Sequence, residues 1–349
     1  MSFRIPVSFV FVAIAGLSPA GAVGQTEGAK IRAVTRVWTP PLTSDGHPDL
    51  QGNWVNRLAT PLERPEQLKG RQFLTDTEVS QLKRRADRIF QIGAGADAPA
   101  GDDVFLAALE NREQYRRGAA TGTADNMLER EFDNRTSLIV DPTDGRIPPY
   151  TPEGLRRLAV AAAATNLRNA PAGPEDLTNI QRCITFGVPM PRPGAQTAYY
   201  QIVQTPGYFV LVVEWIHEAR IIPLDGRPHL PPGIRTWNGD SVGRWEGGTL
   251  VVDTTNFSPK SYFMGSTENL HLEERFTRVA PDEIRYQITV NDPTTWTKPW
   301  TAAIRLRQTQ DRIYEVACHE GNLPIMETML SGALASEKAA EQAPAKRPQ

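Results

Sequence analysis

The sequence predicts an α+β protein: a helical, proline-rich N-terminal half followed by a C-terminal antiparallel β meander or barrel. Three observations carry that prediction. Apolar residues recur at helical spacing between Thr75 and Ala170. Beyond Cys183 they alternate with a period of two in a series of short segments. Those segments are joined by Gly, Asp and Pro turns with no helical pattern between them, which favours consecutive antiparallel pairing over a parallel sheet.

The chain has 349 residues, 40% apolar and 22% charged, enough for a substantial core. Thirty-eight basic and forty acidic residues leave a formal charge of -2, so no global field favours nucleic acid or anionic lipid. The opening MSFRIPVSFVFVAIAGLSPAGAVGQ places Arg4 before an apolar run from Ile5 to Leu17 and small residues ending in Ala20-Gly21-Ala22. That is a signal-peptide pattern over residues 1–24, too short to span a bilayer, which needs about twenty apolar residues. Cleavage after Ala22 or Gly24 is expected. The mature protein is then periplasmic or secreted, with no membrane insertion after cleavage.

Residues 25–74 are rich in proline and polar turns and read as an extended arm. A helical region over 75–180 follows, opened by Thr75 and Glu78 in capping-box spacing before VSQLKRRADRIF. GAGADAPAG breaks the pattern; Asp102–Arg117 and Asp125–Phe132 are the next helical candidates, and SLIV at 137–140 is a short strand. Pro152 starts a helix that runs through LRRLAVAAAATNLRN. The barrel domain spans 181–330, with strands expected at AYYQIVQT, GYFVLVVEWI, ARIIPL, GRWEG, TLVVDTTNF, LHLEERFTRV, EIRYQITV, TAAIRLRQT and RIYEVACHE. Glu246-Gly247-Gly248-Thr249 and Ala280-Pro281-Asp282-Glu283 are tight hairpin turns. The tail 331–349 is expected to be disordered, although its Ala and Glu content permits a frayed helix.

Only Cys183 and Cys318 are present, and an exported chain with an even cysteine count points to one disulfide between them. The competing reading makes Cys318 a thiolate beside His319. Neighbours in a strand point to opposite faces, which weighs against it.

The candidate chemistry centres on EWIHEARIIPLDGRPH, residues 214–229. Glu214 interrupts a strand that is otherwise apolar on both faces. There it serves either as an acid in a cavity or as a structural partner of Arg220. His217, His229, Glu214 and Asp225 are the acid–base candidates. The segment that follows adds Arg220, Arg227, Trp237, Asp240, Arg244 and Trp245, and with His319 these are the candidate binding residues: aromatic walls for shape, charges for orientation. Turn formation and ordinary ion pairing account for many of the same residues. HEARI is not HExxH and the His, Asp and Glu donors are scattered, so no metal site is expected. No P-loop, GxGxxG or GxSxG occurs, and no cofactor is expected.

The motifs DGHPDLQGNW, RTSLIVDPTDGRIPPYTPEG, HEARIIPLDGRPHLPPGIRTWNGDSVGRWEGGTLVVDTTNF and ACHEGN together resemble a large, mostly uncharacterised family of exported bacterial proteins. The resemblance brings no catalytic residues with it, and the likeness of the expected barrel to lipocalins is one of fold alone. The functional expectation is a cofactor-independent lyase, dehydratase or isomerase acting on a small apolar or aromatic molecule in the barrel cavity. Its rivals are a lipocalin-type binding protein with no proton-transfer group, and an envelope structural or interaction module whose interior is filled by side chains.

Overall fold

The computed structural model describes residues 38–90, 101–112, 130–167, 171, 173–189, 199–216, 218–315 and 317–341. The expected signal peptide, most of the expected helix Asp125–Phe132 and His217 lie outside the described residues.

Ten strands build one sheet: β1 (Gly52–Val55), β2 (Ile139–Asp141), β3 (Tyr199–Thr205), β4 (Tyr208–Val213), β5 (Ala219–Pro223), β6 (Asp240–Glu246), β7 (Thr249–Thr255), β8 (His271–Ala280), β9 (Glu283–Asn291) and β10 (Trp300–Thr309). Their order is β5-β4-β3-β1-β10-β9-β8-β7-β6, with β2 paired to β10 off this path. The meander is therefore present in two runs. Turns of two residues join β3 to β4, β6 to β7 and β8 to β9. The Gly247-Gly248 turn pairs Trp245 with Leu250 and Arg244 with Val251, as its sequence requires.

The first departure from expectation is β1. The proline-rich arm does not simply wrap over a finished surface. Its four residues pair with β3 on one side and β10 on the other, joining the two runs into one sheet. Trp54 drives the insertion. Its ring is fully buried, its Nε1 donates to the Leu50 carbonyl at 2.9 Å, and Arg278 lies over it at 5.5 Å from the centroid.

The sheet curls but does not close into a barrel of hydrogen bonds, because β5 and β6 remain its two edges. Side chains nevertheless bring those edges together. A Cβ on Gly243 of β6 would lie 2.6 Å from Leu224 Cδ2 and 3.2 Å from Ile222 Cγ2 of the β5 segment. The concave face is filled by Tyr200, Ile202, Phe209, Leu211, Leu250, Val252, Phe276, Tyr286, Ile288 and Ile304, all almost or wholly inaccessible to water. Phe276 packs between Phe209 and Tyr286, with ring centroids 5.2 and 4.8 Å away.

RIYEVACHE is not a strand. Its described residues carry no ladder, Tyr314 is 70% exposed, and the chain passes instead into a helix. The alternation of residue types was genuine, but both sides of the preceding strand β10 are taken by β1 and β9, and the free edges belong to β5 and β6. Likewise 331–341 is helical rather than disordered, forming the C-terminal part of α4 (Asn322–Glu341). The disulfide and the Asn322 side-chain amide, which donates to the Gln181 carbonyl at 2.9 Å, dock the start of that helix.

Among the described residues, three further helices occupy the N-terminal half: α1 (Asp76–Phe90), α2 (Gly101–Leu109) and α3 (Pro152–Leu167). The capping box forms as read: Glu78 accepts the Thr75 N–H at 2.8 Å, and Thr75 Oγ1 accepts the Glu78 N–H at 3.3 Å. The α1 and α2 helices share a small core around Leu82, Ala86, Phe105 and Ala108. The helix α2 is shorter than expected, ending where Asn111 takes a left-handed φ of 52°. The RTSLIVDPTDGR stretch is a framework loop. Buried Arg64 donates to Thr136 Oγ1 at 2.9 Å and to the carbonyls of Thr143 and Asp144 at 3.2 and 2.5 Å, filling the space that Gly145 leaves beside it. No described helix is long and apolar enough to cross a membrane.

Candidate functional site

The candidate residues from 214 to 246 do not converge on one site; the sheet distributes them between its two faces. Arg220 points into the concave interior. Its guanidinium meets Glu274 with both nitrogens (Nη1–Oε1 3.1 Å, Nη2–Oε2 2.5 Å), and Nη2 also donates to Ser241 Oγ and Thr254 Oγ1 at 3.0 Å. Tyr286 completes this shell, donating to Glu274 Oε1 at 2.8 Å, and its burial pushes its hydroxyl well above the ordinary range. Arg220 is thus a structural cation paired with Glu274, not with Glu214 and not with solvent. Glu214, just past the end of β4, is buried at 7% exposure, and its N–H donates to the Tyr199 carbonyl at 3.1 Å.

Asp225 and Arg227 form an exposed bidentate pair on a turn, where the guanidinium holds the Asp225 carboxyl down to about 2. Arg244 lies on the convex face in a surface ladder with Glu246 and Glu273. Trp245 points inward and is covered by the arm: His47 stacks on it, with centroids 4.7 Å apart and planes within 4°. His319 is exposed, its carbonyl accepting the Asn322 N–H at 3.2 Å. Cys183 and Cys318 are disulfide-bonded, with Cα atoms 5.7 Å apart, as the cysteine count requires.

His229 does enter a polar network, with partners that the sequence reading did not single out. Its Nδ1 lies 2.8 Å from Asp240 Oδ2 and its Nε2 lies 2.7 Å from Asp253 Oδ1. Asp253 Oδ2 meets His271 Nε2 at 2.7 Å, and Asp240 Oδ2 also accepts the Leu230 N–H at 2.8 Å. The order Asp240, His229, Asp253, His271 ties the 224–239 loop onto the convex face of β6, β7 and β8. Because carboxylates only accept, His229 can bond on both sides only with a proton on each ring nitrogen or one on a carboxylate. Hydrogen bonding to Asp253 holds His271 above its ordinary range. Burial pushes Asp253 up, but hydrogen bonds from His271 and His229 outweigh it and its carboxyl ends below the usual value. No group of three or more His, Cys, Asp or Glu among the described residues has the geometry to hold a metal.

The cavity lies elsewhere. A cleft of about 720 Å³ opens between α3, the 175–188 segment and the 257–270 loop. Leu158, Ala161 and Ala162 of α3 form one wall; Leu177, Ile180, Phe186 and Val188 form the second; Phe263, Tyr262 and Leu270 form the third, with Trp237 at its edge. Of the candidate binding residues only Trp237 lines it; Glu214, Asp225 and His229 do not.

Each wall is fixed by hydrogen bonds behind it. Arg157 on α3 donates from Nε to the Gly265 carbonyl at 2.7 Å and from Nη2 to Thr295 Oγ1 at 2.6 Å, while Asp292 gathers Ser266 Oγ and Thr295 Oγ1 at 2.6 and 2.5 Å. Gly154 is required at this contact, since a Cβ there would lie 2.5 Å from the Thr295 carbonyl oxygen. Glu218 clamps the second wall, accepting from Thr185 Oγ1 at 2.6 Å, from the Phe186 N–H at 3.0 Å and from Asn238. Ser261 Oγ donates to the Trp237 carbonyl at 2.7 Å, which ties the third wall to the 224–239 loop.

Asp253 and His271 were the residues missed in sequence, and strand parity held the signal. In TLVVDTTNF the buried Val252 and Thr254 flank Asp253, and in HLEERF the buried Leu272 and Glu274 alternate with His271 and Glu273, so both polar residues belong to the convex face. The cleft had no such signal, because its walls come from three segments far apart in the chain. Comparison with protein-family models, curated proteins and solved structures found no match to this chain.

Proposed function

We propose that this is an exported protein that binds a small molecule with an apolar or aromatic body in the cleft between α3, the 175–188 segment and the 257–270 loop. One observation carries the reading: the cleft is roomy and has apolar residues on each of its three walls among about as much polar surface, whereas the concave face of the sheet is packed with its own side chains. The barrel-like character of the fold belongs to the same reading, with β5 and β6 brought together by packing and the ligand bound beside the sheet rather than inside it, unlike a lipocalin. Export, to the periplasm or beyond, is supported by the apolar run Ile5–Leu17 and by the disulfide, which needs an oxidising compartment. The motif resemblance to exported bacterial proteins points the same way.

The test is a fragment panel read by ligand-detected NMR on the mature protein, with Trp237→Ala and Phe186→Ala as controls. Apolar and aromatic fragments should bind the wild type and lose affinity in both variants. A panel in which nothing binds, or in which binding is indifferent to both substitutions, overturns the reading.

A second reading, acid–base catalysis as a lyase, dehydratase or isomerase, is favoured by Asp253 and His271. Asp253 orients the His271 ring through Nε2, the ring is 43% exposed, and its Nδ1 has no partner among the described residues. If a molecule held at the convex face beside His271 is turned over, His271→Ala should lower the rate by about 10²–10⁴. An unchanged rate would remove His271 from the chemistry.

A further inference from the structure

We infer that the ligand of this cleft carries an anionic group, a carboxylate being the simplest, attached to its apolar body; this rests on the binding reading above. Donors and acceptors in the lining point to it. Four hydroxyls of the cleft already donate to the protein: Thr185 to Glu218, Ser261 to the Trp237 carbonyl, Ser266 to Asp292 and Thr267 to Glu268.

Several donors remain unspent. Lys260 lines the cleft, is exposed and forms no ion pair among the described residues. Arg182, with a side chain only 14% exposed, spends Nη1 on Glu175 at 3.1 Å and Nη2 on Asn179 Oδ1 at 3.1 Å, but its Nε is buried with no partner. The Asn179 amide nitrogen and Trp237 Nε1 likewise meet no acceptor among the described residues. These donors meet no acceptor among the described residues, and an accepting group on the ligand would complement them.

Charge agrees. The lining holds two cations, Arg182 and Lys260, against the single carboxylate of Glu175. That carboxylate is 76% exposed and already engaged by Arg182, which leaves Lys260 as the uncompensated charge. Apolar residues set the body of the ligand and this donor edge sets its head, so a neutral hydrocarbon would leave the Lys260 charge without a partner.

The experiment runs the fragment panel as matched triplets of one aryl or alkyl body bearing a carboxylate, a primary amide or an amine, measured by titration calorimetry on the full mature protein. Acids should bind about tenfold more tightly than their amides, with amines weakest. Lys260→Met, an exposed change that spares the fold, should bring acid and amide within about threefold of each other while leaving amide affinity unchanged. Amides or amines binding as tightly as acids would overturn the anionic class and leave the cleft reading intact. No member of any triplet binding would overturn both.

Discussion

Arg220 carries its charge into the interior of the sheet because Glu274 meets it with both oxygens and Ser241, Thr254 and Tyr286 complete the shell. Removing one partner strands the other in a dry interior. Arg220→Met should therefore destabilise the protein by about 3–5 kcal/mol in denaturant titration, and Arg220→Met with Glu274→Leu should recover much of that loss. Recovery of nothing would show that the pair contributes more than its mutual compensation. On the convex face the Asp253–His271 pair makes a pH-dependent contribution whose sign follows from the two shifts. His271 lies above its ordinary 6.5, so its share is complete below that pH and fades as pH rises through the raised value. Asp253 lies below its ordinary 3.8, so its share is complete above that pH and fades as pH falls through the lowered value. The pair stabilises most between those two pH values. Asp253→Asn should cost about 1 kcal/mol near pH 5, small because His271 is half exposed, and should flatten the thermal-stability profile above neutrality. An unchanged profile would remove the pair from the pH response. The sequence singled out Arg220 and His229 but offered Arg220 the wrong partner, Glu214, and His229 none, because Glu274 and Asp253 lie on strands that only the folded sheet brings near them.

Among the elements, β1 and α3 depend most on single positions. Trp54 anchors a strand of only four residues between two others, and Trp54→Ala should cost about 3–5 kcal/mol by opening a cavity where β1 joins the two runs of the sheet. Gly154 gives a sharper test, since Ala in an exposed helix interior ordinarily stabilises by about 0.5–1 kcal/mol. Here Gly154→Ala should instead lower the melting temperature, because its Cβ would lie 2.5 Å from the Thr295 carbonyl and push α3 away from the cleft wall. A raised melting temperature would show that this contact yields. The capping box of α1, the Pro152 start of α3 and the hairpins were legible because each is a local device, complete within a few residues. The strand in GNWV was not, since Gly52 and four residues leave no alternation to count, and RIYEVACHE misled because alternation alone makes no strand where the neighbouring β10 is already paired on both sides.

At the scale of the whole molecule, the disulfide closes a loop of 135 residues between the second cleft wall and the start of α4. In the chain-entropy account such a loop contributes about 4–5 kcal/mol, so Cys183→Ala with Cys318→Ala should lower stability by up to that amount, measured against the oxidised wild type. Equal stability of the two proteins would show that the unfolded chain is not constrained by the bond. The sequence by itself determined the antiparallel meander, the starts of α1 and α3 and the cysteine pairing. Each rests on periodicity, turn chemistry or counting, which act over short spans or need no geometry. Tertiary structure alone decided that the arm supplies a central strand, that the sheet interior is packed, that His229 joins Asp240, Asp253 and His271, and that the cleft lies beside the sheet. Those outcomes depend on which distant segments meet, and a pattern read along one strand or helix specifies its faces without specifying what will cover them.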